Sequence, residues 1–200
     1  KRYGYEFADL WLINTHNGIK EKGIPRIDVE KDYPAVKKHL DGYWDKIEKR
    51  ADQGDTPYNL RNCAYLDDFF KPKIVWSRLM RLSKNDISNF PRFCFTSGDY
   101  FVVDSLCFFS GRNVEVLINE LNSEFAAWYF FNNVAVLDNG GFQMRQQYVE
   151  NIPLPKLTKG VTKKTVDEKI YKAFGFSSIE VDFIREAIKY KQQEVLNTIK

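Results

Sequence analysis

Phe93-Cys94-Phe95-Thr96, Tyr100-Phe101-Val102-Val103 and Leu106-Cys107-Phe108-Phe109 are three short runs rich in aromatic and β-branched residues, parted by Ser97-Gly98-Asp99 and Asp104-Ser105. Runs of four bounded by turn residues predict short strands joined by tight connections. Working toward the N-terminus, Lys73-Ile74-Val75-Trp76-Ser77 reads as a further strand, rising from a long loop over residues 51–72 marked by Gly54, Asp55, Pro57 and Pro72. Before that loop, Val36, Leu40, Tyr43 and Ile47 recur at helical spacing, and Asp32 with Pro34 suits a helix start, so residues 32–50 predict one amphipathic helix.

On the C-terminal side, Val114, Leu117, Ile118 and Leu121 share one helical face, and Phe125, Trp128 and Tyr129 share another after Ser123. A turn or short helix follows around Gln146–Glu150, and Ile152-Pro153-Leu154-Pro155 holds the chain extended. Residues 156–164 have linker composition. Thr165-Val166-Asp167-Glu168 and Ser177-Ser178-Ile179-Glu180 each spell a capping box, opening one helix that ends near Phe174-Gly175 and a second that runs toward Lys200. In the second, Val181, Ile184, Ile188, Val195 and Ile199 form a narrow apolar stripe suited to leaning on a neighbour. The fold class this predicts is α+β: a small twisted, mostly antiparallel sheet with packed helices, followed by a C-terminal helical segment.

Two hundred residues make about one domain and can bury a core. The longest apolar run, Phe125 to Phe131, is far short of the ~20 residues a membrane-spanning helix needs. Lys1-Arg2-Tyr3-Gly4-Tyr5 has neither the apolar stretch nor the cleavage site of a secretory signal, and a start without Met suggests a piece of a longer chain. Three cysteines, Cys63, Cys94 and Cys107, without Cys-x-x-Cys spacing read as buried thiols in a reducing, cytosolic setting.

The inventory for chemistry is thin: 2 His, 3 Cys and 2 Met beside 16 Phe, 11 Tyr and 4 Trp. His16 and His39 lack metal-ligand spacing, and neither phosphate-cradling glycine motif occurs. Asp167-Glu168-Lys169 has the local spacing of a magnesium nuclease, but the capping box explains the same residues. Charge is unevenly placed. Lys and Arg outnumber Asp and Glu 7 to 3 over residues 71–112, and the balance reverses to 1 to 5 over 113–155. The basic stretch mixes Lys71, Lys73, Arg78, Arg81, Lys84, Arg92 and Arg112 with Trp76, Phe90, Phe93, Phe95 and Tyr100, which suits phosphates and bases. An ordinary solvated strand edge fits that charge equally well.

Read together, five segments resemble the target recognition domain of type IIG restriction–modification enzymes, the TaqI-like C-terminal specificity domain of adenine-specific DNA methyltransferases. They are Lys1-Arg2-Tyr3 with Trp11-Leu12-Ile13; Tyr33-Pro34 with Leu40 and Arg50; Lys71-Pro72-Lys73-Ile74-Val75-Trp76; Leu121-Asn122-Ser123; and Gly140-Gly141-Phe142 through Tyr148-Val149 to Ile152-Pro153-Leu154-Pro155. The resemblance covers residues 1–157 and implies a recognition domain there, with residues 158–200 as a linker and spacer-like helices. It implies a chain with no chemistry and no cofactor of its own. S-adenosylmethionine and Mg2+ would serve only the methyltransferase and nuclease domains of a cytoplasmic, prokaryotic parent enzyme. The expected partners are double-stranded DNA and those N-terminal domains, with no membrane.

On this reading the 71–92 stretch and the loop around 138–147 form the DNA face. Arg78, Arg81, Lys84 and Arg92 would meet phosphates or guanine, with Lys71 and Lys73 nearby. Gln143, Arg145 and Gln146 would read bases or clamp the backbone, and Arg61 and Asn62 are further candidates. A solvated surface role competes for each of them. The alternative function is a protein-interaction or scaffold module docking a partner through the last helix, which requires an exposed stripe at Val181, Ile184 and Ile188.

Overall fold

The computed structural model describes residues 1–157 and 160–198. The chain is mixed α+β. In chain order the elements are α1 (Val29–Asp32), α2 (Pro34–Asp41), α3 (Trp44–Ile47), β1 (Lys73–Ser77), β2 (Leu79–Arg81), β3 (Phe93–Thr96), β4 (Leu106–Ser110), α4 (Leu117–Leu121), α5 (Glu124–Asn133), β5 (Gly141–Gln143), α6 (Gln146–Glu150), α7 (Val166–Phe174) and α8 (Ser178–Thr198), with 3-10 turns at Lys20–Lys22, Leu66–Phe70 and Val114–Val116. Among the described residues no helix is long and apolar enough to cross a membrane. Packing divides the chain into two compact units, one of residues Lys1–Glu6 with Asp67–Lys200 and one of Phe7–Leu66. The boundary at 157/158 suggested by the resemblance follows composition; packing keeps the described C-terminal helices with the sheet.

In the larger unit β1 lies between β3 and β4, antiparallel to both, with Lys73 opposite Thr96 on one side and Ser110 on the other. Alternation along β1 sends Ile74 and Trp76 into a core shared with Met80, Phe93, Phe130, Phe142 and Met144. Burying each such large side chain is worth roughly 1.5–3 kcal/mol. The Trp76 indole N–H meets the Met144 carbonyl at 2.8 Å, so this buried donor is satisfied. Asn122 bonds the Phe93 backbone from both amide atoms, at 3.0 Å each, and ties the α4–α5 corner to β3. Ser123 then caps α5, accepting the Ala126 amide at 3.0 Å. The run 100–103 forms no strand; Tyr100 packs on Tyr5 with the rings tilted by 60°, and Phe101 stacks on Phe69.

Against α5, the helices α7 and α8 enclose a second cluster of Phe125, Val166, Ile170, Tyr171 and Ile184. The second capping box forms in full: Ser177 N–H and hydroxyl meet Glu180 at 2.8 Å, and the Glu180 amide returns to Ser177 Oγ at 3.4 Å. The first does not. Thr165 turns its hydroxyl back to accept the Thr162 amide, and Asp167 accepts the Glu124 amide of α5 at 2.6 Å. The stripe of α8 is packed rather than open, with Ile184 and Val195 buried and Val181 and Ile188 against the clusters; Ile199 lies outside the described residues. The exposed apolar side chains of α8 are instead Ile179, Phe183 and Tyr190.

In the smaller unit the expected helix over 32–50 is broken: α1 ends at Asp32, and α2 and α3 follow. Asp28, not Asp32, caps the first by accepting the Lys31 amide, and the chain breaks again at Gly42-Tyr43, where Tyr43 leaves the helical region at φ −118°. The centre of this unit is polar. Buried Asn59 donates to the Ile27 and Thr15 carbonyls and accepts from Arg26 and Thr56.

Candidate nucleic-acid interface

Between β1 and the 82–92 loop, β2 leaves the three-stranded sheet and pairs with β5, antiparallel, as a separate two-stranded ribbon. Its register sets Leu79 opposite Gln143, Met80 opposite Phe142 and Arg81 opposite Gly141. Strand alternation gives the ribbon two faces. Met80 and Phe142 are fully buried and fix it to the core, so Arg81 and Gln143 take the outer face. Gly141 suits its place because a Cβ there would stand 2.8 Å from Leu79 Cδ1.

The ribbon joins the two segments singled out from sequence. Arg78 is exposed at its start, its guanidinium donating to the Asp104 carbonyl at 3.3 Å, while its own carbonyl accepts the Met144 amide at 2.8 Å. Lys84 is exposed on the loop that follows. Arg145 is exposed and donates to Gln143 Oε1 at 3.0 Å, and exposed Gln146 donates to Glu150. Arg92 is a brace: it bridges Asp86 at 2.9 Å and the Arg81 carbonyl at 2.6 Å, closing the 82–92 loop on β2. Lys71 is exposed but paired with Asp68 at 2.6 Å.

Two expectations are corrected by position, those for Lys73 and for the cysteines. Lys73 is fully buried, its ammonium and the cross-strand Thr96 hydroxyl both without hydrogen-bond partners, so it presents nothing to a phosphate. Burial holds its pKa below the usual lysine value, with Asp99 acting the other way. Arg61 and Asn62 are exposed in the smaller unit, where Arg61 pairs with Asp52 at 3.1 Å and Asn62 accepts from Asn17 at 2.7 Å. The cysteines are free but half-buried rather than buried, and burial pushes the Cys94 and Cys107 thiols up.

Sequence reading missed the ribbon pairing, because three-residue strands carry too little periodicity to register. It also missed Glu120, buried on α4 and pushed up to about 7 by desolvation. Among the described residues no cluster of three or more His, Cys, Asp or Glu is arranged to hold a metal ion. What the ribbon offers is a set of guanidinium and carboxamide groups, which donate to phosphates and pair with base edges.

These features define an α+β unit whose two-stranded ribbon is anchored in the core and carries Arg81 on its outer face, with Arg78 and Arg145 at its ends. No family model matches the chain, and no curated protein matches it.

Proposed function

We propose that this chain is a sequence-specific double-stranded DNA recognition module of a cytoplasmic, prokaryotic restriction–modification enzyme, of the TaqI-like specificity class, positioning separate methyltransferase and nuclease domains on their target. The observation that carries the reading is the β2–β5 pairing, which brings exposed Arg78, Arg81 and Arg145 and half-buried Gln143 together along one ribbon and its ends. A two-stranded ribbon fits the DNA major groove, where Arg pairs with guanine and Gln with adenine, each good bidentate pair contributing about 1–3 kcal/mol of discrimination. Exposed Lys84 supplies a phosphate contact that sets register without reading sequence. Arg92 supports the ribbon through the Arg81 carbonyl instead of touching DNA.

The interaction-module alternative needed Val181, Ile184 and Ile188 open, and Ile184 is 3% exposed. The test is binding of a labelled duplex library by the parent enzyme and by its Arg78→Ala/Arg81→Ala version. We expect the variant to lose affinity and to show a shallower dependence on salt. Unchanged affinity and slope would remove the ribbon from the DNA face.

A further inference from the structure

A cavity of about 480 Å³ opens in the larger unit between the first residues of the chain, the 88–90 loop, the start of α5 and one face of α8. Four cationic side chains line it, Arg2, Lys163, Arg185 and Lys189, against two carboxylates, Glu124 and Asp167. Both carboxylates are committed within the fold. Asp167 accepts the Glu124 amide at 2.6 Å, and Glu124 Oε2 accepts from Arg185 Nε and from the Tyr171 hydroxyl, each at 3.0 Å. Arg2 is fixed as well, donating to the Ser88 carbonyl at 3.2 Å and to the Asn122 carbonyl, while its Nε is buried with no acceptor.

Lys163 and Lys189 are left over. Both are exposed, and neither has a carboxylate partner among the described residues. The Lys163 ammonium stands 3.9 Å from the centre of the Tyr3 ring. Two ammoniums without a carboxylate partner, on the rim of a polar cavity whose own carboxylates are already committed, leave a net positive field that favours an anion. The space exceeds what a lone carboxylate would fill. Its neighbours indicate the kind of anion: the loop that leaves Arg81 and carries Lys84 runs to the cavity edge at Ser88, and Gln192 of α8 holds that loop through the Ile87 carbonyl at 3.4 Å. Ribbon and cavity therefore share one loop of one unit.

We propose that this cavity seats a phosphate group between Lys163 and Lys189, and that the backbone of the duplex lying on the ribbon supplies it. The source, though not the phosphate chemistry, rests on the DNA reading above. The 200-residue chain and its Lys163→Ala/Lys189→Ala variant are titrated with a fluorescent random-sequence duplex over a salt series, and separately with inorganic phosphate by calorimetry. Both lysines are exposed, so an unchanged melting temperature is expected to accompany the variant. Its duplex affinity is expected to fall about ten-fold at 0.1 M salt, with the slope of log affinity against log salt shallower by about 1–2. Its sequence preference in a library selection should stay as it was, because phosphate contacts carry no base information.

The Arg78→Ala/Arg81→Ala variant separates the two ideas. Phosphate binding that depends on Lys163 and Lys189, in a chain that ignores duplex DNA, supports the site, assigns it to a free phosphate ester and sinks the DNA reading. Duplex binding weakened by the ribbon variant but untouched in affinity and slope by the lysine variant leaves the DNA reading standing and overturns the cavity proposal. Absence of both duplex and phosphate binding overturns both.

Discussion

Lys73 follows Lys71 in a basic, strand-opening segment, and residue type alone assigns both lysines to the surface. Strand membership separates them from that common reading: Lys73 sits inside the sheet opposite Thr96, while Lys71 precedes the strand and reaches Asp68. A buried ammonium and a buried hydroxyl without partners are costly, so Lys73→Met is expected to stabilise the chain by about 1–3 kcal/mol at pH 7. The pH dependence has a fixed sign. The native pKa lies below the unfolded value of 10.5, so between the two the unfolded state binds more protons, and wild-type stability rises with pH there. The advantage of Lys73→Met should accordingly shrink as pH approaches 10.5, which urea denaturation at pH 7 and pH 10 measures; a destabilised variant at pH 7 would mean that the ammonium has a native partner. Glu120 titrates in the opposite sense. Its carboxyl sits at about 7 in the fold against 4.5 unfolded, so its contribution to stability is lost as pH rises from 4.5 to 7, by up to about 3 kcal/mol. Glu120→Gln should be the more stable protein at pH 8 and gain nothing at pH 4, read from paired melting curves; equal curves at both pH values would place a compensating donor beside the carboxyl.

At the scale of elements, identical spelling hides different structure. Thr165-Val166-Asp167-Glu168 and Ser177-Ser178-Ile179-Glu180 both satisfy the capping-box pattern, yet only the second closes the reciprocal bonds. Tertiary partners decide the first, where Thr165 accepts the Thr162 amide and Asp167 is drawn to the start of α5. Ser177→Ala is therefore expected to cost about 1 kcal/mol in urea denaturation, the usual value of an N-cap side chain. Asp167→Asn should cost more than Thr165→Ala, because it weakens the tie between α7 and α5; the reverse order would return the capping role to Thr165. Legibility follows the same logic. Strands β1, β3 and β4 and the Ser123-capped α5 could be read because their aromatic and β-branched runs, or the cap, are local signals. The helix expected over 32–50 could not be divided correctly, since its apolar spacing continues through Gly42 while the backbone does not. The ribbon was legible only as two basic or polar segments, and what joins them is the Met80–Phe142 pairing, which no local pattern announces.

Over the whole molecule, chain order and packing order differ. Residues 1–6 belong with 67–200: Tyr3 donates to the Phe93 carbonyl at 2.7 Å and bridges to Cys94, so the larger unit is begun before the smaller one and completed after it. The two points where the chain leaves and re-enters the larger unit are near each other, for Tyr5 packs on Tyr100 and Phe70 on the adjacent Phe101. An insertion with neighbouring ends can be removed with a small loop-closure term. Replacing residues 7–66 by a short Gly/Ser linker is expected to leave a cooperatively folding larger unit. Truncation after Leu157, although it falls where the composition turns linker-like, should not. It uncovers Phe125 and removes Val166, Ile170, Tyr171 and Ile184 from the second cluster, along with the Glu124–Arg185 pair at 3.0 Å. Thermal melts and binding of a hydrophobic dye compare the two deletions directly. A sharp transition without dye binding in the truncated chain would place a packing boundary at 157 after all, whereas dye binding confined to the truncated chain assigns α7 and α8 to the unit that carries the ribbon.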